Sequence, residues 1–110
     1  CSTKSAEALL EMMQLVVEKG TAYRLPRMYK EGGTYKLGSI LPKGRTNVLA
    51  GKTGTAETGT TRGDHSWFVA VAPVENPRYA VAAMVEYAGL GAKVAGPVAV
   101  KTLLAALNRE

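Results

Sequence analysis

Residues 47–57 read Asn-Val-Leu-Ala-Gly-Lys-Thr-Gly-Thr-Ala-Glu, a short apolar approach that ends in a lysine, two hydroxyls and a glycine. The apolar part predicts a buried strand over residues 48–55. The polar end is Lys52-Thr53-Gly54-Thr55. A positive charge, two hydroxyl donors and a position without a side chain together favour an edge that binds an anion and lets another backbone approach closely.

The composition is that of one small folded domain. The chain has 110 residues, of which 46% are hydrophobic and 21% charged, which fits a single core and excludes disorder. No apolar run reaches the roughly 20 residues of a membrane-spanning helix, and no leader peptide is expected. Because there is one cysteine and one histidine, we expect no internal disulfide, no metal site and no cofactor.

Positive charge is concentrated in one segment. The net charge is +5, and Thr21 to Lys52 holds seven Lys or Arg against Glu31 alone. Such a field suits an anionic partner. The tyrosines among these cations leave open a basic nucleic-acid-binding module in which they would stack on bases, although a loop that packs on its own domain is the simpler interpretation. These tyrosines are Tyr23, Tyr29 and Tyr35.

The remaining pattern predicts an α+β fold with a three-stranded antiparallel sheet flanked by helices. Helical spacing of apolar residues predicts a helix over residues 6–19, capped by Thr3 or Ser5 and stopped by Gly20 in a left-handed conformation. A loop rich in glycine and proline follows over residues 21–46. Further strands are predicted over residues 65–72 and 78–87, and a second helix over residues 97–107.

This set of elements is too small to cover its own sheet. Both faces of the last predicted strand carry alanine, Ala83 on one and Ala80 and Ala82 on the other. This favours helices packed closely on each side, and only two helices are predicted. The chain also begins at Cys1, directly before a helix. We therefore expect a larger domain to supply the missing layer, and the chain to have been either processed or excised from something longer.

A nucleotide-binding loop is one candidate interpretation of Gly51-Lys52-Thr53, and it fails. A P-loop needs a glycine five positions before the Gly-Lys pair, with a helix directly after it. That position is Thr46, and the segment that follows the motif is turn-forming.

The other candidate is the lysine-threonine-glycine strand of serine acyl-transfer enzymes that react with penicillin. Lys52 would supply a positive field, and the hydroxyls of Thr53 and Thr55 would bind the carboxylate of a peptide lying along the strand edge. The Thr55 backbone N–H would donate to the oxyanion of the tetrahedral intermediate. Strand alternation puts Thr53 and Thr55 on one face and Lys52 on the other, so one cleft can use all three only at the rim of the sheet.

A wider set of residues carries a family resemblance. Leu49 to Glu57 is similar to the third active-site motif of class B penicillin-binding proteins, and residues 16–22 and 64–73 are similar to the segments around it. The resemblance continues through Asn76-Pro77 and Ala95-Gly96-Pro97. The pair at residues 64 and 65 and the glycines after residue 86 favour the elongation type, the penicillin-binding protein 2 group.

The resemblance implies a D,D-transpeptidase that cross-links peptidoglycan stem peptides through a serine acyl-enzyme and is acylated by β-lactams. Residues 1–110 would be the C-terminal portion of its transpeptidase domain. The whole protein would lie on the outer face of the cytoplasmic membrane, anchored by an N-terminal segment outside this chain, and would work with the cell-wall elongation machinery. No nucleic-acid partner is implied.

The same resemblance limits what this chain does alone. The family's nucleophilic serine lies in Ser-x-x-Lys, and its second motif is Ser-x-Asn. Ser2-Thr3-Lys4 has the wrong spacing and no Ser-x-Asn occurs, so the chain by itself is expected to be inactive. A class D β-lactamase or a β-lactam sensor shares the strand motif, although Ala72-Pro73 and Asn76-Pro77 argue against it.

Several other residues near the motif have no predicted catalytic role. Asp64, His65 and Ser66 are consecutive, so on a strand their side chains diverge and cannot form a triad. His65 is predicted to be a structural residue at the start of a strand. Trp67 and Phe68 are predicted to pack on opposite faces, and Glu57 to be solvated.

Overall fold

The computed structural model describes residues 1–25, 49–107 and 109. Within these ranges the order is helix α1 (Thr3–Glu18), strands β1 (Ala50–Ala56), β2 (His65–Ala72) and β3 (Tyr79–Val85), and helix α2 (Ala95–Leu107). The predicted α+β architecture is therefore confirmed for these residues. The loop predicted over residues 21–46 lies outside the described residues from position 26 onward.

The first helix differs from its predicted bounds at both ends. It begins at Thr3 because the Ser2 side chain accepts a hydrogen bond from the Ser5 N–H at 3.1 Å, so the predicted cap at Thr3 or Ser5 is wrong. The helix ends at Glu18, and the Gly20 N–H bonds back to the Val16 carbonyl at 3.0 Å. Gly20 does not have the predicted left-handed conformation. Its role is a close approach, because a Cβ there would lie 2.9 Å from the Val16 Cα.

The three strands form an antiparallel sheet in the order β1-β2-β3. β2 has its predicted bounds. β1 begins and ends later than predicted, at Ala50 and Ala56. β3 is shorter than predicted and ends at Val85, since Tyr87 has a φ of 52° and cannot continue an extended strand. α2 begins two residues earlier than predicted, at Ala95, whose N–H finds an acceptor in the Ser66 side chain.

Both helices pack on one face of the sheet. Phe68 lies at the centre of this face, fully buried, with Thr53 of β1 and Ala83 of β3 as its register partners. Helix α1 contributes Val17 to the same core, and α2 contributes five residues, Ala95, Ala99, Val100, Leu103 and Leu107. Small residues such as Ala70 and Ala72 let the helices approach the strands closely.

The opposite face of the sheet is uncovered by the described residues. Trp67, Val69 and Met84 point to it and are 40%, 38% and 42% exposed. Trp67 and Phe68 thus lie on opposite faces, as predicted. An apolar sheet face this open is what a domain with a missing layer presents, and it agrees with the expectation that more of the protein packs here.

Candidate functional site

The predicted site residues lie on β1, which is an edge strand of the described sheet. In the register of β1 with β2, Thr53 pairs with Phe68 and Thr55 with Ser66, which places both threonines on the helix-covered face. Lys52 pairs with Val69 and therefore lies on the uncovered face. The divergence predicted from strand alternation is thus present.

Thr53 and Thr55 line a cavity between β1, the end of α1 and the start of α2. Its volume is about 710 Å³. The Thr53 Oγ1 and the Thr21 Oγ1 are hydrogen-bonded at 2.9 Å, which ties the turn after α1 to the strand. Among the described residues, the lining contains two cations, Arg24 and Lys93, and no carboxylate. The other lining residues are Gly20, Thr21, Ala22, Tyr23, Leu25, Leu90, Gly91, Ala92 and Pro97. Two cations and hydroxyl donors without an acid suit a ligand that carries negative charge.

Lys52 is exposed, and its Nζ donates to the Thr53 carbonyl oxygen at 2.9 Å. The ammonium group therefore lies beside the backbone of Thr53, whose side chain faces the cavity. Glu57 is exposed as well, and the part of the chain that the structure describes holds no ion pair between it and Lys52. The predicted solvation of Glu57 agrees with this placement.

Gly54 is covered from the helix side by a second glycine that the sequence interpretation missed. Gly91 is buried in the loop between β3 and α2. A Cβ on Gly91 would lie 2.7 Å from the Gly54 carbonyl oxygen and 3.0 Å from the Gly54 nitrogen, and would also contact the Trp67 carbonyl oxygen. The run of glycines after residue 86 was the only signal in the sequence, and it could not indicate which strand this loop contacts.

Ser66 is the second residue that sequence interpretation missed. It is fully buried, its Oγ donates to the Leu90 carbonyl at 3.1 Å, and it accepts from the Ala95 N–H at 3.0 Å. This one hydroxyl holds the loop that carries Gly91 against β2. Alternation from Phe68 could have placed Ser66 on the buried face, where a hydroxyl requires a partner.

His65 has a structural role in this geometry, as predicted. Its Nδ1 accepts a hydrogen bond from the Tyr87 N–H at 3.0 Å, and the two rings contact each other with centroids 4.7 Å apart. The Arg62 guanidinium also contacts the Tyr87 ring, with its central carbon 4.9 Å from the ring centroid. Asp64, His65 and Ser66 make separate contacts and form no triad.

The described ranges contain neither a group of side chains that could hold a metal ion nor a membrane-spanning helix. Among residues 1–25, 49–107 and 109, no three His, Cys, Asp or Glu side chains converge. The same ranges contain no helix that is long and apolar enough to span a bilayer. Tyr23 lines the cavity, whereas Tyr29 and Tyr35, and most of the basic segment, lie outside the described residues.

Comparison with known proteins decides what family this arrangement belongs to. The model of the penicillin-binding protein transpeptidase domain matches residues 1–104. The chain belongs to the penicillin-binding protein transpeptidase family. The predicted class B resemblance is confirmed, and the sheet with its two helices is part of the transpeptidase fold.

Individual relatives and solved structures agree with this family assignment. The peptidoglycan D,D-transpeptidase PbpA of Mycolicibacterium smegmatis is 42% identical over an alignment of 68 residues, and the match covers 54% of this chain and 14% of that protein. An imipenem acyl-enzyme of penicillin-binding protein A from M. tuberculosis is 33% identical with a TM-score of 0.63, over 97% of this chain and 20% of that one. A complex of penicillin-binding protein 2 with MreC from Helicobacter pylori is 29% identical with a TM-score of 0.67, over 100% of this chain and 19% of the other.

The transpeptidase-family chain is thus short relative to these proteins. It spans about one-seventh of the curated relative's length and about a fifth of each solved structure. It carries neither Ser-x-x-Lys nor Ser-x-Asn.

Proposed function

We propose that this chain is the C-terminal portion of the transpeptidase domain of a peptidoglycan D,D-transpeptidase, and that it binds the acyl-donor stem peptide. The observation that carries this proposal is the edge strand β1, with Thr53 and Thr55 directed into a cavity whose described lining has two cationic residues and no acidic one. Family membership supplies the reaction class.

In the proposed reaction, a serine outside this chain attacks a carbonyl carbon of the donor stem peptide. The tetrahedral intermediate expels the terminal residue of the donor, and the acyl group stays on the serine. An amine of a second stem peptide then attacks this ester, forms the cross-link and restores the serine hydroxyl. A β-lactam enters the first step and leaves the serine acylated. The chemistry is acyl transfer through covalent catalysis.

The residues of β1 bind and orient the donor in this scheme. The hydroxyls of Thr53 and Thr55 donate to its terminal carboxylate, and Lys52 contributes positive potential from the other side of the strand. The donor backbone lies along the edge of β1 that no other described strand pairs with, as an added strand, and Gly54 leaves room for it. The Thr55 N–H donates to the oxyanion, an interaction whose loss typically raises the barrier by about 3 kcal/mol.

We also propose the setting of the whole protein. The imipenem acyl-enzyme of the mycobacterial relative supports acylation of this protein by β-lactams. The structure of the H. pylori protein with MreC supports a place in the cell-wall elongation machinery. The protein would lie on the outer, periplasmic face of the cytoplasmic membrane, held by an N-terminal anchor outside this chain.

The test is acylation of the full-length protein by a fluorescent penicillin. A Lys52→Ala variant should acylate about ten- to a hundredfold more slowly, because it loses the attraction between the ammonium group and the donor carboxylate; two unit charges about 6–10 Å apart attract by about 1.7–2.8 kcal/mol at an effective dielectric constant of about 20. Lys101→Ala is the matched control, because Lys101 is also exposed, lies on α2 and does not line the cavity. Equal acylation by the parent and both variants would refute the role of Lys52, and a parent that is never labelled would refute the proposed activity.

The same protein preparation separates the alternatives. A class D β-lactamase would hydrolyse the penicillin in many turnovers, whereas a transpeptidase keeps a lasting acyl-enzyme. A nucleic-acid-binding module would bind single strands with an affinity whose logarithm falls linearly with the logarithm of salt concentration. We expect no such binding even at low salt.

A further inference from the structure

The loop between β3 and α2 reaches the site from the side opposite to Lys52. Gly91 of this loop lies against the backbone of Gly54 so closely that a Cβ would be 2.7 Å from the Gly54 carbonyl oxygen and would contact the Trp67 carbonyl oxygen. Contacts of this kind with backbone atoms cannot be relieved by a rotamer change, and a close-packed interior leaves little room for the backbone to shift. Only glycine fits at position 91.

The same loop is fixed to the sheet at both of its ends. On the α2 side, the Ser66 hydroxyl bonds to the Leu90 carbonyl and to the Ala95 N–H, and the Gly96 N–H donates to the Gly91 carbonyl at 2.7 Å. On the β3 side, the Gly89 N–H donates to the Asp64 carbonyl at 3.0 Å. The loop therefore cannot move away from β1 without breaking several hydrogen bonds.

The position of this contact along β1 connects it with binding. Gly54 lies between Thr53 and Thr55, and both threonines line the cavity that Gly91 also lines. A displacement of the Gly54 backbone would move the two hydroxyls together with the Thr55 N–H. Misplacing a reacting group by about 1 Å can cost about a hundredfold in rate.

We infer that Gly91 is a positioning residue, which fixes the backbone of the Lys52–Thr55 segment from the helix-covered side and so sets where the donor peptide binds. This inference rests on the proposed function, and it assigns to the β3–α2 loop a role in acyl transfer beyond closing the fold. Gly91 itself does not need to touch the substrate for this role.

The test compares two glycine substitutions in one loop of the full-length protein. Gly91→Ala places a methyl group against the Gly54 backbone. Gly89→Ala is the matched control: Gly89 has a φ of 83°, so alanine is strained there, but its Cβ would meet no atom within 4 Å. Both variants should lose some thermal stability, and only Gly91→Ala should lose acylation.

The measured quantities are the penicillin-binding constant and the acylation rate constant at saturation, together with the melting temperature. We expect Gly91→Ala to lower the saturated rate at least tenfold, and Gly89→Ala to stay within threefold of the parent. Ser66→Ala, which releases the loop instead of pushing on β1, should lower the same rate constant by a smaller factor. If Gly91→Ala does not fold, the rate constant of Ser66→Ala tests the positioning role in its place.

The outcomes separate this inference from the proposed function. If the parent is acylated and Lys52→Ala is slow, but Gly91→Ala and Ser66→Ala match Gly89→Ala, the positioning role is overturned and the proposed function stands. If the parent is not acylated at all, both are overturned. A fall in melting temperature with an unchanged saturated rate would show that Gly91 serves stability alone.

Discussion

Replacing Ser66 by alanine is the most direct test of how the site is held. Ser66 is fully buried, and its hydroxyl joins β2 to the two ends of the Leu90–Ala95 segment. The substitution removes one oxygen and changes no apolar contact by more than that atom. The effect on stability is therefore set by hydrogen bonding.

The two lost hydrogen bonds are unequal in cost. The Leu90 carbonyl also accepts from the Lys93 N–H at 3.1 Å and from the Val94 N–H at 3.2 Å, so it keeps partners and loses about 0.5–1 kcal/mol. Ala95 is fully buried, and its N–H has no other acceptor among the described residues. An unsatisfied buried donor costs about 1–3 kcal/mol, so we expect a total loss of about 1.5–4 kcal/mol in the free energy of unfolding.

Two measurements on the full-length protein check this value. Urea denaturation gives the change in unfolding free energy, and hydrogen–deuterium exchange of the peptide covering residues 90–96 locates it. If that segment opens locally, exchange should accelerate about 10- to 700-fold, since each 1.4 kcal/mol is a factor of ten. Thr102→Ala is the control. Its exposed hydroxyl donates to the Val98 carbonyl at 2.8 Å, and an exposed substitution should cost within about 0.5 kcal/mol. A Ser66→Ala variant as stable as this control, with unchanged exchange, would refute the reasoning.

Three further predictions concern the sheet. Phe68→Ala should lower the unfolding free energy by about 3–5 kcal/mol in a denaturation experiment, because it empties the centre of the core; a loss below about 1 kcal/mol would contradict this packing. His65→Ala removes the acceptor of the Tyr87 N–H and one ring contact, so it should cost about 1–2 kcal/mol and leave the penicillin acylation rate within about threefold; a much slower variant would make His65 part of the chemistry. Val69→Asp, on the uncovered face, should destabilise the full-length protein by more than about 2 kcal/mol, whereas a near-neutral effect would mean that no further layer covers this face.

The parts of the fold that the sequence predicts well are those with a strict period. β2 was predicted with its observed bounds, since its alternation fixes which side chains enter the core. The same rule correctly separated Lys52 from Thr53, and it placed Trp67 opposite Phe68. Where one face of a strand is buried, the pattern leaves no second register.

The parts that could not be predicted depend on contacts between distant segments. The early start of α2 results from a hydroxyl 29 positions away in sequence, on Ser66. The end of β3 results from the left-handed conformation of Tyr87, whose N–H and ring both contact His65. The fit of Gly91 against Gly54 is visible only when both backbones are in place. None of these contacts has a local sequence signature, because the partner decides the conformation.

The division of β1 between two faces explains why this strand belongs at an edge. Lys52 belongs to the uncovered face and Thr53 and Thr55 to the covered one, so a single ligand can use all three only by crossing the rim of the strand. In a central strand a neighbour would occupy that rim. A donor peptide that lies along the edge meets the threonines on one side and leaves its other side open, towards the face where Trp67 and Met84 are exposed. On the proposed function, the missing layer then brings the serine to the donor from that face, opposite to the side on which Gly91 supports the strand.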